Sequence, residues 1–563
     1  MKYSEYQYTR TNPEQVKTQM DEIIDGFNRA ESPKEQKLWM DKSKQIFSDY
    51  STFEAIARLN FNRDTKNDSY VKENDYFDEI DPLMREISLN WTKTLLNGKF
   101  RSELEASFGS QFFNQKELEL KSFDPKIKAL VEEENKVSNE YTKLIAGAVI
   151  EFQDKTYNLA GMGPFHQDKD RNIRKTSIEA VFDFFEKNAE ELDSIYDRLV
   201  KLRHKMATGM GYENFIQMGY DKMLRTDYTH VEVAAYRKQI VDHVVPLVAK
   251  LQEKKREILE LEKLYFYDAI NFKDGDPKPK GSPEKLVEAA KKMYEELSPE
   301  TGAFFKMMIE DELLDLVNRE GKMGGGFCTA FPKYERPYIF SNFNGTDHDV
   351  TVLTHEAGHA FQVYSARKQP LLEYHWPTYE AAEIHSMSME FITWPWMDAF
   401  FKEDTEKFKY LHMVKSISFL PYGACVDHFQ HWVYENPHAT PQERKSKWSE
   451  LEKIYMPWRD YDGISFCEDG GIWQKQMHIY QAPFYYIDYT LAQVCAFQFW
   501  IKFNENRESA WEDYHRLCKA GGSLPFTQLT ALAKIDSPFD EGVLEKVVDH
   551  VWKFLNGIEV KSL

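Results

Sequence analysis

His355-Glu356-Ala357-Gly358-His359 is the stretch on which the reading of this chain turns. On a helix, side chains four residues apart stand one above the other on the same face. His355 and His359 can therefore offer two imidazole nitrogens to one metal ion. Glu356 lies one residue on, within reach of a water in the ion's open position. Two ligands and a general base thus occupy little more than one turn, the H-E-x-x-H spacing of hydrolytic zinc centres. The flanking residues supply a helix to hold them. Asn344-Gly345 is a turn signal, and Thr346-Asp347-His348-Asp349 fits a capping box. Val350, Leu353, Ala357, Ala360, Phe361 and Tyr364 then recur at helical spacing, which predicts a buried or half-buried helix of about five turns.

A catalytic zinc takes a third protein ligand and leaves its fourth position to water. The metzincin continuation would place a glycine and a histidine where Gln362 and Ser365 stand. The spacing of aminopeptidase-type gluzincins falls on Thr378, which cannot serve. Residues 379–390 read as a second helix, bounded by Pro377 and Pro395. Glu383 and Glu390 stand two turns apart on one face of it, with Glu380 one turn before Glu383. Ala381, Ala382, Ile384, Met387 and Met389 leave little room for a polar surface. At least one of these acids is therefore buried, and a buried acid needs a cation or a metal.

These blocks resemble the thimet oligopeptidase family of zinc metallopeptidases, and more closely its oligoendopeptidase F branch. Residues 337–346 are similar to the family's strand and turn leading into the zinc helix, and Asp349 to Ala360 to its form of the motif. Ala382-Glu383-Ile384-His385-Ser386 resembles the block carrying the third ligand, which implies Zn2+ held by His355, His359 and Glu383. Glu380 sits at the thermolysin-type spacing without that family's flanking sequence, and ranks second. Met477-His478-Ile479-Tyr480-Gln481-Ala482-Pro483-Phe484-Tyr485-Tyr486-Ile487-Asp488-Tyr489 is similar to the family's histidine and tyrosine segment, whose side chains stabilise the oxyanion. That resemblance implies catalytic roles for Tyr489, His478 and Tyr486, with Glu356 as base. It is strongest from about residue 320 to 495, and reaches back to about 145.

Composition agrees with such an enzyme. A chain of 563 residues can bury a large core and form more than one lobe. A net charge of -20 disfavours nucleic acid or an anionic membrane as partner. No apolar run approaches membrane-spanning length, and Met1 to Tyr6 shows no signal-peptide core. Five scattered cysteines suit reduced thiols in a cytoplasm, and none carries a catalytic motif.

Along the chain, residues 1–145 read as an N-terminal region of amphipathic helices, with Asn12-Pro13, Ser32-Pro33 and Asp124-Pro125 as starts or breaks. Residues 146–563 form the catalytic region. A hairpin is predicted through Gln153-Asp154, a breaker-rich loop over residues 273–283, and a helix start at Ser282-Pro283. Gly324-Gly325-Gly326 lacks the ending of a phosphate loop and reads as a flexible or closely packed turn near the substrate. Tyr338 to Phe343 has strand composition and is expected at a sheet edge, where an extended peptide could pair with it.

The expectation is a mainly α fold of two helical lobes flanking a deep substrate channel, with a small β-sheet next to the zinc helix. This architecture is what the resemblance implies. The expected activity is zinc-dependent endopeptidase action on short unstructured peptides in the cytoplasm. Two rivals stand beside it: a metallo-exopeptidase of carboxypeptidase type, and a catalytically silent peptide-binding protein.

Overall fold

The computed structural model describes residues 1–559. It is mainly helical, with a two-stranded and a three-stranded sheet among the described residues. Helices α1 (Pro13–Arg29), α2 (Pro33–Arg63) and α3 (Asp68–Leu96) pack together at the N-terminus. The first two start where proline allows, since its missing N–H would be unpaired in a first turn anyway. Asn12 and Ser32 cap them by accepting backbone N–H bonds. Val16, Met20, Ile23 and Phe27 form the buried stripe of α1.

Strands β1 (Ile150–Phe152) and β2 (Lys155–Tyr157) pair antiparallel through Gln153 and Asp154, as the sequence predicts. Both turn residues have positive φ, 50° and 60°, which matches the twist a two-residue hairpin needs. The helix Pro283–Leu297 begins after Ser282, also as predicted.

The second sheet positions the site. Its strands are β3 (Leu314–Val317), β4 (Phe327–Phe331) and β5 (Arg336–Phe343), in the order β3-β5-β4. β5 runs parallel to β3 and antiparallel to β4. The expectation that Tyr338 to Phe343 forms an edge is therefore wrong: that segment is the central strand. Tyr338, Ile339, Phe340 and Ser341 are a continuous buried run, the mark of a strand covered on both faces and paired on both sides. The edges are β3 and β4, and β4 is half-exposed along most of its length and preceded by the three glycines.

From β5 the chain enters α4 (His348–Ala366), the motif helix, of five turns. The predicted capping box does not form. Asp349 instead turns back to accept the backbone N–H groups of Asn344 and Gly345 at 2.9 and 2.7 Å, and the Thr346 hydroxyl donates to Asn344. The acid closes the turn rather than the helix. Val350, Leu353, Ala357, Ala360 and Phe361 are buried as the periodicity requires, and Tyr364 is half-buried. Helix α5 (Tyr379–Ile392) crosses α4 closely. A Cβ at Gly358 would lie 2.5 Å from the carbonyl oxygen of His385, so only glycine permits this approach. Helices α6 (Thr405–Glu435) and α7 (Tyr486–Glu505) complete the surround, with α7 packed along α5. Among the described residues no helix is long and apolar enough to cross a membrane.

Candidate metal centre and channel

Two turns of α4 and one of α5 bring three donors together. The Nε2 atoms of His355 and His359 lie 3.4 and 3.5 Å from the same Glu383 oxygen, Oε2. One ligand atom from each residue falls within 4.8 Å of the others, the one such group among the described residues. Two donors each about 2.0–2.1 Å from a tetrahedral zinc are separated by about 3.3–3.4 Å. Both contacts approach that edge length and point to donors arranged around a shared ion. Two imidazoles and a carboxylate form a His2Glu set suited to zinc.

Glu383 is held by its neighbours. Ser386 Oγ donates to its Oε2 at 2.9 Å, and the Tyr485 hydroxyl to its Oε1 at 3.2 Å. His355 is oriented from behind: its Nδ1 is 2.7 Å from Glu390 Oε1. Glu390 thus stands behind a candidate ligand, as its place two turns past Glu383 allows. Glu380, ranked second as a ligand, forms no part of the donor group. It is buried near Arg225 and Asp488, and one of its oxygens has no hydrogen-bond partner.

Glu356 lies beside the donors with its Oε2 buried and unpartnered. Its Oε1 would be 3.7 Å from a Cβ at Gly326, so the turn before β4 passes close over it.

Next to Glu383 stands a cluster of aromatic rings. Tyr489 packs against Tyr485 with ring centres 4.9 Å apart, and His478 lies 5.7 to 5.9 Å from these two rings. Tyr486 packs edge-on against His478, Phe419 and Tyr422. His478, Tyr486 and Tyr489 line a cavity of about 1360 Å³ with His348 and Thr351 of α4, Met387 and Glu390 of α5, and Lys415 and Phe419 of α6. The loop over residues 274–278 forms part of its rim.

The profile described as peptidase family M3 matches residues 165–549, and that of the M3 N-terminal domain matches residues 3–123. The chain belongs to peptidase family M3. A solved structure of PZ peptidase A with an inhibitor is 49% identical, has a TM-score of 0.94, and is covered over 100% of its length by 99% of this chain. The oligoendopeptidase F homolog of Borreliella burgdorferi is 25% identical over 423 residues, 70% of this chain and 69% of that protein. The chromosomal oligoendopeptidase F of Lactococcus lactis subsp. cremoris is 23% identical over 380 residues, 64% of this chain and 59% of that protein. These relatives lie in the branch that the sequence blocks resemble.

Electrostatics in the M3 site sort its acids into two kinds. Burial pushes the Glu356 carboxyl up from the usual carboxylate range, with His355 and His359 opposing in part. Burial also works against ionisation of Glu383, but the two imidazoles overrule it and hold that carboxyl well below its ordinary value. An acid with raised basicity beside an acid held ionised is the division a base and a ligand require. Burial pushes the Tyr485 and Tyr489 phenols up, and the Glu383 charge adds to it. Both stay protonated donors. Burial pushes His478 down, toward the neutral ring.

Sequence reasoning on this M3 chain missed Tyr485, whose hydroxyl reaches Glu383 while the neighbouring Tyr486 turns toward Phe419 and Tyr422. The density of tyrosines in that block was visible. Which of them faces the donors depends on the break just before α7, where Phe484 takes φ 68°.

Proposed function

We propose that this protein is a zinc-dependent oligoendopeptidase acting on short, unstructured peptides in the cytoplasm. The observation that carries this reading is the convergence of two Nε2 atoms and one Glu383 oxygen beside the unpartnered oxygen of Glu356. His355, His359 and Glu383 would hold Zn2+, which would supply Lewis-acid polarisation of the scissile carbonyl and a more acidic water.

The chain's own groups supply the rest. Glu356, made more basic by burial, takes the proton of the attacking water and hands it to the departing amine. Tyr489 and Tyr485, with neutral His478 beside them, present donors from the aromatic cluster to the oxygen that gains charge. Edge strand β4 leaves main-chain groups free beside Glu356, so an extended peptide can add to the sheet there. Five unpaired cysteines suit a reducing compartment.

Cleavage of a peptide blocked at both ends tests the endopeptidase reading. Hydrolysis at an internal bond is expected. Failure on blocked peptides, with release of terminal residues from free ones, would replace it with an exopeptidase. A silent binder would cleave neither, and it would have no use for a base at Glu356.

A further inference from the structure

The hydrogen-bond path behind His355 does not stop at Glu390. The other oxygen of that carboxylate, Oε2, is 2.7 Å from Nε2 of His412 on α6. On the far side of that ring, Trp394 Nε1 donates to His412 Nδ1 at 3.1 Å. Trp394 lies in the single turn that follows α5, and both it and His412 are buried, 6% exposed each. Phe408 stacks on the His412 ring at 5.6 Å and 9°, and Phe391 packs at 4.7 Å.

The protons along this path follow from donor chemistry. An indole N–H can only donate, so His412 Nδ1 must be the acceptor. A neutral imidazole then carries its proton on Nε2, and that N–H points at Glu390 Oε2. An ionised Glu390 then has one donor already in place, and its second oxygen is positioned to accept from His355 Nδ1–H. His355 therefore presents a bare lone pair on Nε2, the atom that faces Glu383. Without the His412 donor, the buried carboxylate would lose half its partners. It would then be free to rotate away from His355 and leave that ring unoriented.

We propose that His412, locked in one tautomer by Trp394, is a positioning residue of the metal centre, acting through Glu390 to keep His355 Nε2 free for the ion. The proposal rests on the reading that His355 and Glu383 hold zinc. It adds two residues, from α6 and from the turn after α5, that lie outside the donor group.

The test is zinc affinity, read by competition with a chromophoric chelator on metal-depleted protein. His412→Leu should weaken zinc binding about tenfold or more, as loss of a partner behind a ligand typically does. His412→Gln should restore affinity to within a few-fold, because its amide can donate to Glu390 and accept from Trp394. Trp394→Phe keeps the bulk and removes only the N–H, freeing the His412 tautomer, and should fall between the two. Two results would overturn the proposal: a folded His412→Leu protein that binds zinc as tightly as wild type, or equal weakening in the Leu and Gln variants. If His412→Leu fails to fold, unchanged affinity in Trp394→Phe overturns it instead. Glu383→Ala is the separate control: wild-type zinc binding there would sink the underlying metal site rather than the relay behind it.

Discussion

At the scale of single residues, the site separates groups that hold from groups that react. Glu356→Gln keeps the size of the side chain and removes its basicity. Metal content should stay at the wild-type level while kcat falls by orders of magnitude, since an amide cannot accept the water's proton. Metal analysis and steady-state kinetics on one preparation check both halves. The two tyrosines should differ. Tyr489→Phe removes a donor from the aromatic cluster beside the donor group, so kcat should drop on the order of a hundredfold with little change in KM. Tyr485→Phe also removes a hydrogen bond to Glu383, so zinc affinity should fall together with kcat. Equal zinc affinities in the two variants would show that the Tyr485 contact does not support the ligand.

At the scale of elements, convergence depends on how closely α4 and α5 cross. His355 and His359 lie on one helix and Glu383 on the other, so the donor group survives only while the helices touch. Gly358→Ala would put a methyl 2.5 Å from the His385 carbonyl oxygen and 2.7 Å from Ser386 Cα. Backbone cannot yield as a flexible side chain can, so the helices must separate. Overpacking of this kind costs about 1–3 kcal/mol. A lower melting temperature together with weaker zinc binding is expected, and wild-type zinc affinity would show that the crossing does not set the site. The start of α7 is held as tightly. Phe484 adopts a left-handed backbone that is unusual for an aromatic residue. Gln430 accepts its N–H at 3.0 Å, Arg225 donates to its carbonyl at 2.6 Å, and its ring lies against Gly219. Gly219→Ala, with a Cβ 2.6 Å from that ring, should shift the tyrosine segment. It is expected to lower kcat without lowering zinc content, which separates this cluster from the metal ligands.

For the whole molecule, the cavity and the ion pairs that join helices make two further predictions. If the proposed function holds, the cavity of about 1360 Å³ is where the peptide binds, and its size favours an extended peptide over a folded domain. An unfolded peptide should be cleaved, and the same segment inside a stable domain should resist, by mass spectrometry of the digests. Stability should also respond to acid through Asp513, on the helix Arg507–Ala520 that follows α7. Burial opposes its ionisation, but Lys502, Arg516 and Lys534 overrule this and bring its pKa to about 2. The folded-state value lies below the unfolded value of about 3.9. The stabilisation is therefore present above pH 4 and is lost as pH falls through about 2. Asp513→Asn should be less stable than wild type at pH 7, with the gap closing between pH 4 and pH 2 in denaturant titrations.

The sequence by itself determined the parts of this protein that depend on local periodicity and short spacing. Two histidines four apart must share a helix face, Pro13 and Pro33 must sit in first turns, and Gln153-Asp154 must reverse a hairpin. The family blocks singled out Glu383, which the structure groups with His355 and His359, because spacing alone left Glu380, Glu383 and Glu390 open. What crosses from one element to another was not legible. The strand over Arg336–Phe343 carries its own composition, but its place between two neighbours depends on where β3 and β4 fold. Asp349 matched a capping box, yet a short carboxylate can satisfy a turn's amides as readily as a helix end, and tertiary placement chose the turn. Tyr485, Tyr486 and Tyr489 are chemically alike, and only the left-handed Phe484 and the packing of α7 on α5 decided which hydroxyl meets Glu383. The same holds for Trp394 and His412, which lie 18 residues apart and meet only through side chains from different elements.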